Sequence, residues 1–189
     1  MNLSSSLENQ FLVAMPQLQD PYFSNTVTYM WKHNEGGALG IVLNKPLKAR
    51  IADLFEELGI EYSIKSDQFI QKKVLAGGPV EQDKGFILHT AGDKWDSSVA
   101  ISEEITLCTS RTILQDIASG NGPEKYIVAL GCAGWEAGQL EREIIENSWL
   151  TVPATTDLVF SDDYAALPNL AAAQLGIDLH KLPPQAGHS

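Results

Sequence analysis

The longest uncharged apolar stretch in the chain, residues 126–135, is about half the ~20 residues that a helix needs to span a bilayer. A run this short, fed by Tyr126-Ile127-Val128-Ala129-Leu130 and followed by glycines, reads as a buried strand of a globular domain. The first residues carry no basic cluster and lead into only a brief apolar run, Phe11 to Met15, which is too short for the core of a secretory signal. The expectation is therefore a protein of the cytoplasm with no membrane contact. At 189 residues and 44% apolar content the chain can bury a full core without staples.

Charge narrows the partners. The formal net charge is -11, and residues 127–189 hold eight acids, from Glu136 to Asp178, against Arg142 and Lys181. A field of that sign repels phosphate, so direct nucleic-acid binding is disfavoured. The longest basic cluster, Lys45, Lys48 and Arg50, is short and reads as a solvated loop and helix start. Cys108 and Cys132 each fall in an apolar stretch and read as buried free thiols. His33, His89, His180 and His188 are scattered, so neither a metal site nor a cofactor is expected.

Periodicity gives short strands at Phe11 to Met15, Thr26 to Trp31 and Ala38 to Leu43, the last two joined as a hairpin across Asn34-Glu35-Gly36-Gly37. Asp20-Pro21 resembles a capped helix start. Ile51, Leu54, Phe55 and Leu58 repeat at helical spacing and stop at Gly59. Val74-Leu75-Ala76 and Gly85 to His89 read as partner strands across the Gly77-Gly78-Pro79 turn. Short strands follow at Val99 to Ile101 and Ile105 to Cys108. Ser110 caps a helix with Ile113, Leu114, Ile117 and Ala118 on one face, closed by Gly120. The strand from Tyr126 is expected to enter a turn at Gly131-Cys132-Ala133-Gly134 and then a helix carrying Leu140 and Ile144. Closing strands are expected at Trp149 to Val152 and Asp157 to Phe160. A last helix, capped by Asp162 or Asp163, is kinked or delayed by Pro168. Strand pairs mixed with isolated helices, without βαβ alternation, argue for an α+β class. With no repeat or linker, residues 1–189 read as a single domain with flexible ends at 1–8 and 183–189.

Four separated motifs in register resemble one family. They are Ala14-Met15-Pro16 with Asp20-Pro21, then Gly37-Ala38-Leu39-Gly40-Ile41-Val42-Leu43-Asn44-Lys45-Pro46. The third is Gly77-Gly78-Pro79-Val80 with Gly85-Phe86-Ile87-Leu88-His89. The fourth is Ala129-Leu130-Gly131-Cys132-Ala133-Gly134-Trp135 with Gly138-Gln139-Leu140-Glu141 and Asn147-Ser148-Trp149-Leu150. Their order and spacing resemble the AlgH-like (YqgE-type) family of uncharacterised bacterial proteins. The resemblance implies an α+β fold whose branched, mixed and mainly antiparallel sheet curls into a pseudo-barrel with helices around it. It implies no reaction or cofactor. The family is named for a genetic link to alginate production and carries the label of transcriptional regulator. The resemblance also implies an aromatic residue where Cys132 stands, which counts against a family-wide redox role for that thiol.

The candidate ligand- or partner-binding residues are Gly131, Gly134, Trp135, Gln139 and Glu143. A glycine-rich turn can aim backbone N–H groups at a ligand, but G-x-x-G-x-x-x-G matches neither phosphate-binding fingerprint, and no lysine follows it. Glu136 in the first helical turn would oppose an anion. Packing is the leading reading of the glycines, and a neutral or cationic ligand the leading functional one. Gln139 and Glu143 lie one turn apart near Trp135, where an aromatic, an amide and a carboxylate can recognise a peptide or a cationic small molecule; the leading reading is a solvated face with Glu141 and Arg142, and Trp135 as core filler. Ser110, His89 and Asp116 lack a G-x-S-x-G elbow, so no catalytic residue is assigned. The preferred function is a non-enzymatic regulator or adaptor, acting indirectly if on transcription. The alternative is a small-molecule-binding protein or an enzyme that uses the turn at 131–135 and the helix after it.

Overall fold

The computed structural model describes residues 5–64, 66–90 and 95–182. Of the expected flexible ends at 1–8 and 183–189, residues 1–4 and 183–189 lie outside the described residues. The fold is α+β and forms two compact units, residues 1–45 with 133–189, and residues 46–132.

In the first unit, β1 (Gln10–Ala14), β2 (Val27–Asn34) and β3 (Gly37–Val42) run antiparallel, and β2 and β3 make the expected hairpin with Asn34 opposite Gly37. A register shift interrupts that pairing between Met30 and Lys32. Five successive residues of β1 also pair with the last strand of the chain, residues 149–153. The turn after Asp20 is capped as expected: Asp20 Oδ1 accepts from Tyr22 N at 2.7 Å and Phe23 N at 2.9 Å. It stays a turn and does not propagate as a helix. Leu7 and Glu8 are tied to β2, since Leu7 N donates to His33 Nδ1 at 2.9 Å and Glu8 Oε1 accepts from His33 N at 3.3 Å.

In the second unit, the expected loop at Lys48 and Arg50 is a strand, β4 (Pro46–Arg50), because its backbone pairs antiparallel with β5 (Lys73–Ala76). Helix α1 (Ile51–Leu58) buries Ile51, Ala52 and Phe55, and Gly59 at φ 71° ends it, as the spacing predicts. The short α2 (Asp67–Ile70) follows. Strands β5 and β6 (Val80–His89) do not pair across the Gly77-Gly78-Pro79 turn. Each instead flanks a later strand, β5 in parallel and β6 antiparallel. Strands β7 (Ser98–Ala100) and β8 (Thr106–Cys108) continue from β6. Ser110 caps α3 (Arg111–Ser119), its hydroxyl accepting from Thr112 N at 3.1 Å; Ile113, Leu114, Ile117 and Ala118 are buried and Gly120 closes the helix at φ 88°.

The shared strand is β9 (Tyr126–Glu136), and here the structure corrects the sequence reading. Residues 131–135 are not a turn. They lie within the strand, pairing Cys132 with Val80 and Ala133 with Gly40. Gly131 is needed for a backbone crossing: its φ is 79°, and a Cβ there would lie 2.4 Å from the Gly78 carbonyl oxygen. The real turn is at Gly138, at φ 77°, which precedes α4 (Gln139–Ile145). Strand β10 (Trp149–Pro153) is where expected. Residues 156–159 form α5 (Thr156–Val159) and not a strand, since Val159 N closes a turn onto Thr155 O at 3.0 Å. Pro168 delays α6 (Leu167–Ala173), whose N-terminus is Ala166 and not an aspartate cap. A 3-10 turn at Leu179–Lys181 follows.

Candidate functional site

Strand alternation turns Trp135 of β9 and Trp149 of β10 into the core of the first unit, where they are 7% and 5% exposed. They pack with Leu12, Met30, Val42 and Leu140. An indole buried this deeply needs a partner for its N–H. Glu143 of α4 supplies it twice: Trp135 Nε1 donates to Glu143 Oε1 at 3.1 Å and Trp149 Nε1 donates to the same oxygen at 2.9 Å. Gln139, one helical turn earlier, donates from Nε2 to Glu143 Oε2 at 2.8 Å. Its own Oε1 accepts from Glu136 N at 2.9 Å, which fixes the amide orientation. Gln139 and Glu143 are thus not a solvated face but the polar half of an aromatic cluster.

Phe23 completes that cluster. Its ring centroid lies 6.1 Å from Trp135 and 5.7 Å from Trp149, and the two indoles are 5.9 Å apart at 79°. Asp20 positions Phe23 through the turn already described. A cleft of about 260 Å³ opens over this group, lined by Asp20, Phe23, Gly134, Trp135, Gln139 and Glu143 among others. Four of the five residues singled out in the sequence therefore line one cleft. Gly131 does not line it, and its conformation is explained by the approach to Gly78. Sequence reading missed Phe23 and Asp20, which are remote along the chain and reach the cleft only through the β1–β2 connection.

The electrostatics lean one way. Two carboxylates and three aromatic rings face the cleft, in a unit that holds eleven of the chain's 24 acids but only four of its 13 bases. One of those bases is already drawn to the same aromatic group. Lys45 Nζ sits 3.6 Å from the Tyr22 ring centroid and donates to Tyr22 O at 2.8 Å, with the Tyr22 and Phe23 rings 5.0 Å apart. Desolvation pulls the Lys45 ammonium below its ordinary pKa, and the Asp20 charge opposes that shift.

The other candidates have separate duties. His33 Nδ1 accepts from Leu7, so the proton is on Nε2, which donates to Glu141 Oε1 at 3.3 Å. His89 is fully buried, its Nδ1 donating to Thr90 O at 2.9 Å, and burial holds its pKa below the ordinary value. Asp116 accepts from Trp95 Nε1 at 2.7 Å while Ser110 caps α3, so Ser110, His89 and Asp116 are not wired as a nucleophile and its base. Cys108 and Cys132 are free and buried; burial, with the Glu81 charge adding and Lys84 opposing, pushes the Cys132 thiol up. Among the described residues no group of three or more His, Cys, Asp and Glu could hold a metal ion, and no helix is long and apolar enough to cross a membrane.

The sequence model of the AlgH-like family matches residues 11–180, across both units. The chain belongs to the AlgH-like family. The AlgH-like chain is 46% identical over 189 residues to a UPF0301 protein of Thioalkalivibrio sulfidiphilus, covering 100% of each. It is 43% identical to a UPF0301 protein of Alcanivorax borkumensis, covering 98% of this chain and 97% of that one. Among solved structures it is similar to AlgH from Pseudomonas aeruginosa, a solution structure, with a TM-score of 0.77, 42% identity and 100% of each chain covered. A crystal structure of a Corynebacterium diphtheriae protein, 17% identical with a TM-score of 0.75 over 95% of this chain and 92% of that one, shares the fold. The family is one of uncharacterised function, so the chemistry of this AlgH-like chain has to be argued from its own residues.

Proposed function

We propose that the protein is a non-enzymatic adaptor that receives a cationic side chain of a partner protein in the cleft at Trp135. The observation that carries this reading is the pairing of Asp20 and Glu143 with the rings of Phe23, Trp135 and Trp149 around one opening. Ring faces and carboxylates both favour positive charge, and neither favours an anion. Size favours a side chain over a free metabolite. A cleft of about 260 Å³ is below the range of about 300–1,000 Å³ that encloses a drug-sized ligand. The polar groups are already hydrogen-bonded in place, so little ordering is left to oppose association. A regulatory role on this reading is exercised through a protein contact in the cytoplasm, a location supported by the two unpaired, buried thiols.

The test is a nuclear magnetic resonance titration with N-acetyl-lysine methylamide and, as its uncharged counterpart, N-acetyl-norleucine methylamide. The lysine compound is expected to move the indole N–H resonances of Trp135 and Trp149, and the norleucine compound to move them far less. Asp20→Asn is expected to weaken the lysine response several-fold. Equal responses to the two compounds, or none to either, would overturn the proposal.

A further inference from the structure

A second and larger opening, about 870 Å³, is formed in the same unit by the segment between β1 and β2, the end of β3, α6 and the final 3-10 turn. Nothing in the sequence pointed to it. Its lining differs in kind from the Trp135 cleft. Among the described residues it contains no Asp, Glu, Lys or Arg, although its unit holds eleven acids. Five primary amides line it instead, together with the Tyr164 phenol and the His180 imidazole.

Two of the amides build the walls. Asn44 Oδ1 accepts from Val27 N at 2.9 Å, and its Nδ2 donates to Asn25 O at 2.9 Å and Tyr164 O at 3.4 Å. Gln17 Nε2 donates to Asn147 O at 2.9 Å. Bonds between segments 17 to 130 residues apart in sequence hold the opening in shape without a ligand. The remaining polar groups are open to solvent and so to another molecule: Gln19 and Asn25 are exposed and the Tyr164 ring is half-buried. Asn169 Nδ2 lies 3.4 Å from His180 Nε2, which leaves the Asn169 carbonyl oxygen as an acceptor. Burial, with the Asp162 charge adding, raises the Tyr164 phenol above its ordinary pKa of 10.0, so it remains a neutral donor at physiological pH. Ala14, Pro16, Pro168 and Leu179 supply the apolar surface.

We infer that this cavity binds an uncharged small molecule that carries several hydrogen-bond donors and acceptors, of the polyol or amide class. The volume is within the range of about 300–1,000 Å³ typical of small-molecule sites. No charged side chain lines the opening, so an ionised ligand meets no counter-charge there. A primary amide both donates and accepts, so it matches hydroxyl and amide groups on a neutral ligand equally well. The site is independent of the adaptor reading, because it shares no lining residue with the Trp135 cleft.

The experiment is a resonance titration of the full chain with four sugar-sized probes: maltose, N-acetylglucosamine, glucosamine and glucose 6-phosphate. The first carries hydroxyls alone, the second hydroxyls and an amide, and the last two are the cationic and anionic counterparts. At least one neutral probe is expected to move the resonances of Tyr164 and Asn169 and leave the indole N–H of Trp135 in place. Its affinity should exceed that of the charged probes by at least tenfold, and Gln19→Leu with Asn169→Leu should reduce it by a similar factor. Equal affinity for charged and neutral probes, silence with every neutral probe, or undiminished binding by a double variant of native melting temperature would each overturn the inference.

Discussion

Glu143 accepts hydrogen bonds from side chains on three elements, β9, β10 and its own α4. Replacing it by Ala would strand two buried indole N–H groups, so Glu143→Ala is expected to cost about 2–4 kcal/mol in urea unfolding. Glu143→Gln keeps one acceptor oxygen and is expected to cost about half as much. His89 makes a second residue-scale prediction. Its folded pKa lies below the ordinary 6.5, so between those two values the unfolded chain binds the extra proton. Stability is then fully present above about pH 6.5 and declines as pH falls toward the folded value, and His89→Leu should flatten that limb of a pH series of unfolding curves. The convergence of Trp135, Gln139 and Glu143 was legible because helical spacing and chain proximity place them together. Trp149 and Phe23 were not legible as their partners, since only the pairing of β10 with β1 and the capped turn at Asp20 bring those rings across.

At the scale of elements, glycine caused the main misreading. Gly131 and Gly134 look like a turn because turns are the commonest use of paired glycines, but a strand glycine also permits close backbone approach. Gly131→Ala tests which use applies. With φ at 79° and a Cβ 2.4 Å from Gly78 O, the substitution is expected to destabilise the fold by more than about 2 kcal/mol, read from chemical denaturation. Were residues 131–135 a mobile ligand loop, the cost would be a few tenths. The helices α1 and α3 were legible with their ends, because period and closing glycine agree at each and Ser110 caps the second. Strand β4 and helix α5 were not. The first depends on an edge partner that no local pattern announces, and the second is an apolar run too short for periodicity to assign.

For the molecule as a whole, the net charge of -11 and its concentration in the unit holding the Trp135 cleft set what can approach. Duplex DNA is expected to show no retention in an electrophoretic shift at ~20 mM salt, the condition under which counterion release most favours binding. A shift that weakens steeply with added salt would contradict this. The fold class was legible in the mixture of hairpin and isolated helix, and the four spaced motifs carried the family. The division into two units was not, because β9 runs through it without a break in composition. That strand sets an order of events on the ribosome. Residues 1–45 emerge first, yet the neighbours of β1 and β3, strand β10 and residues 133–136 of β9, are translated only after all of residues 46–132. The inner segment can close its own core while the nascent chain still carries a three-stranded sheet with two unpaired edges, the stage of synthesis at which edge-to-edge association is the greatest hazard.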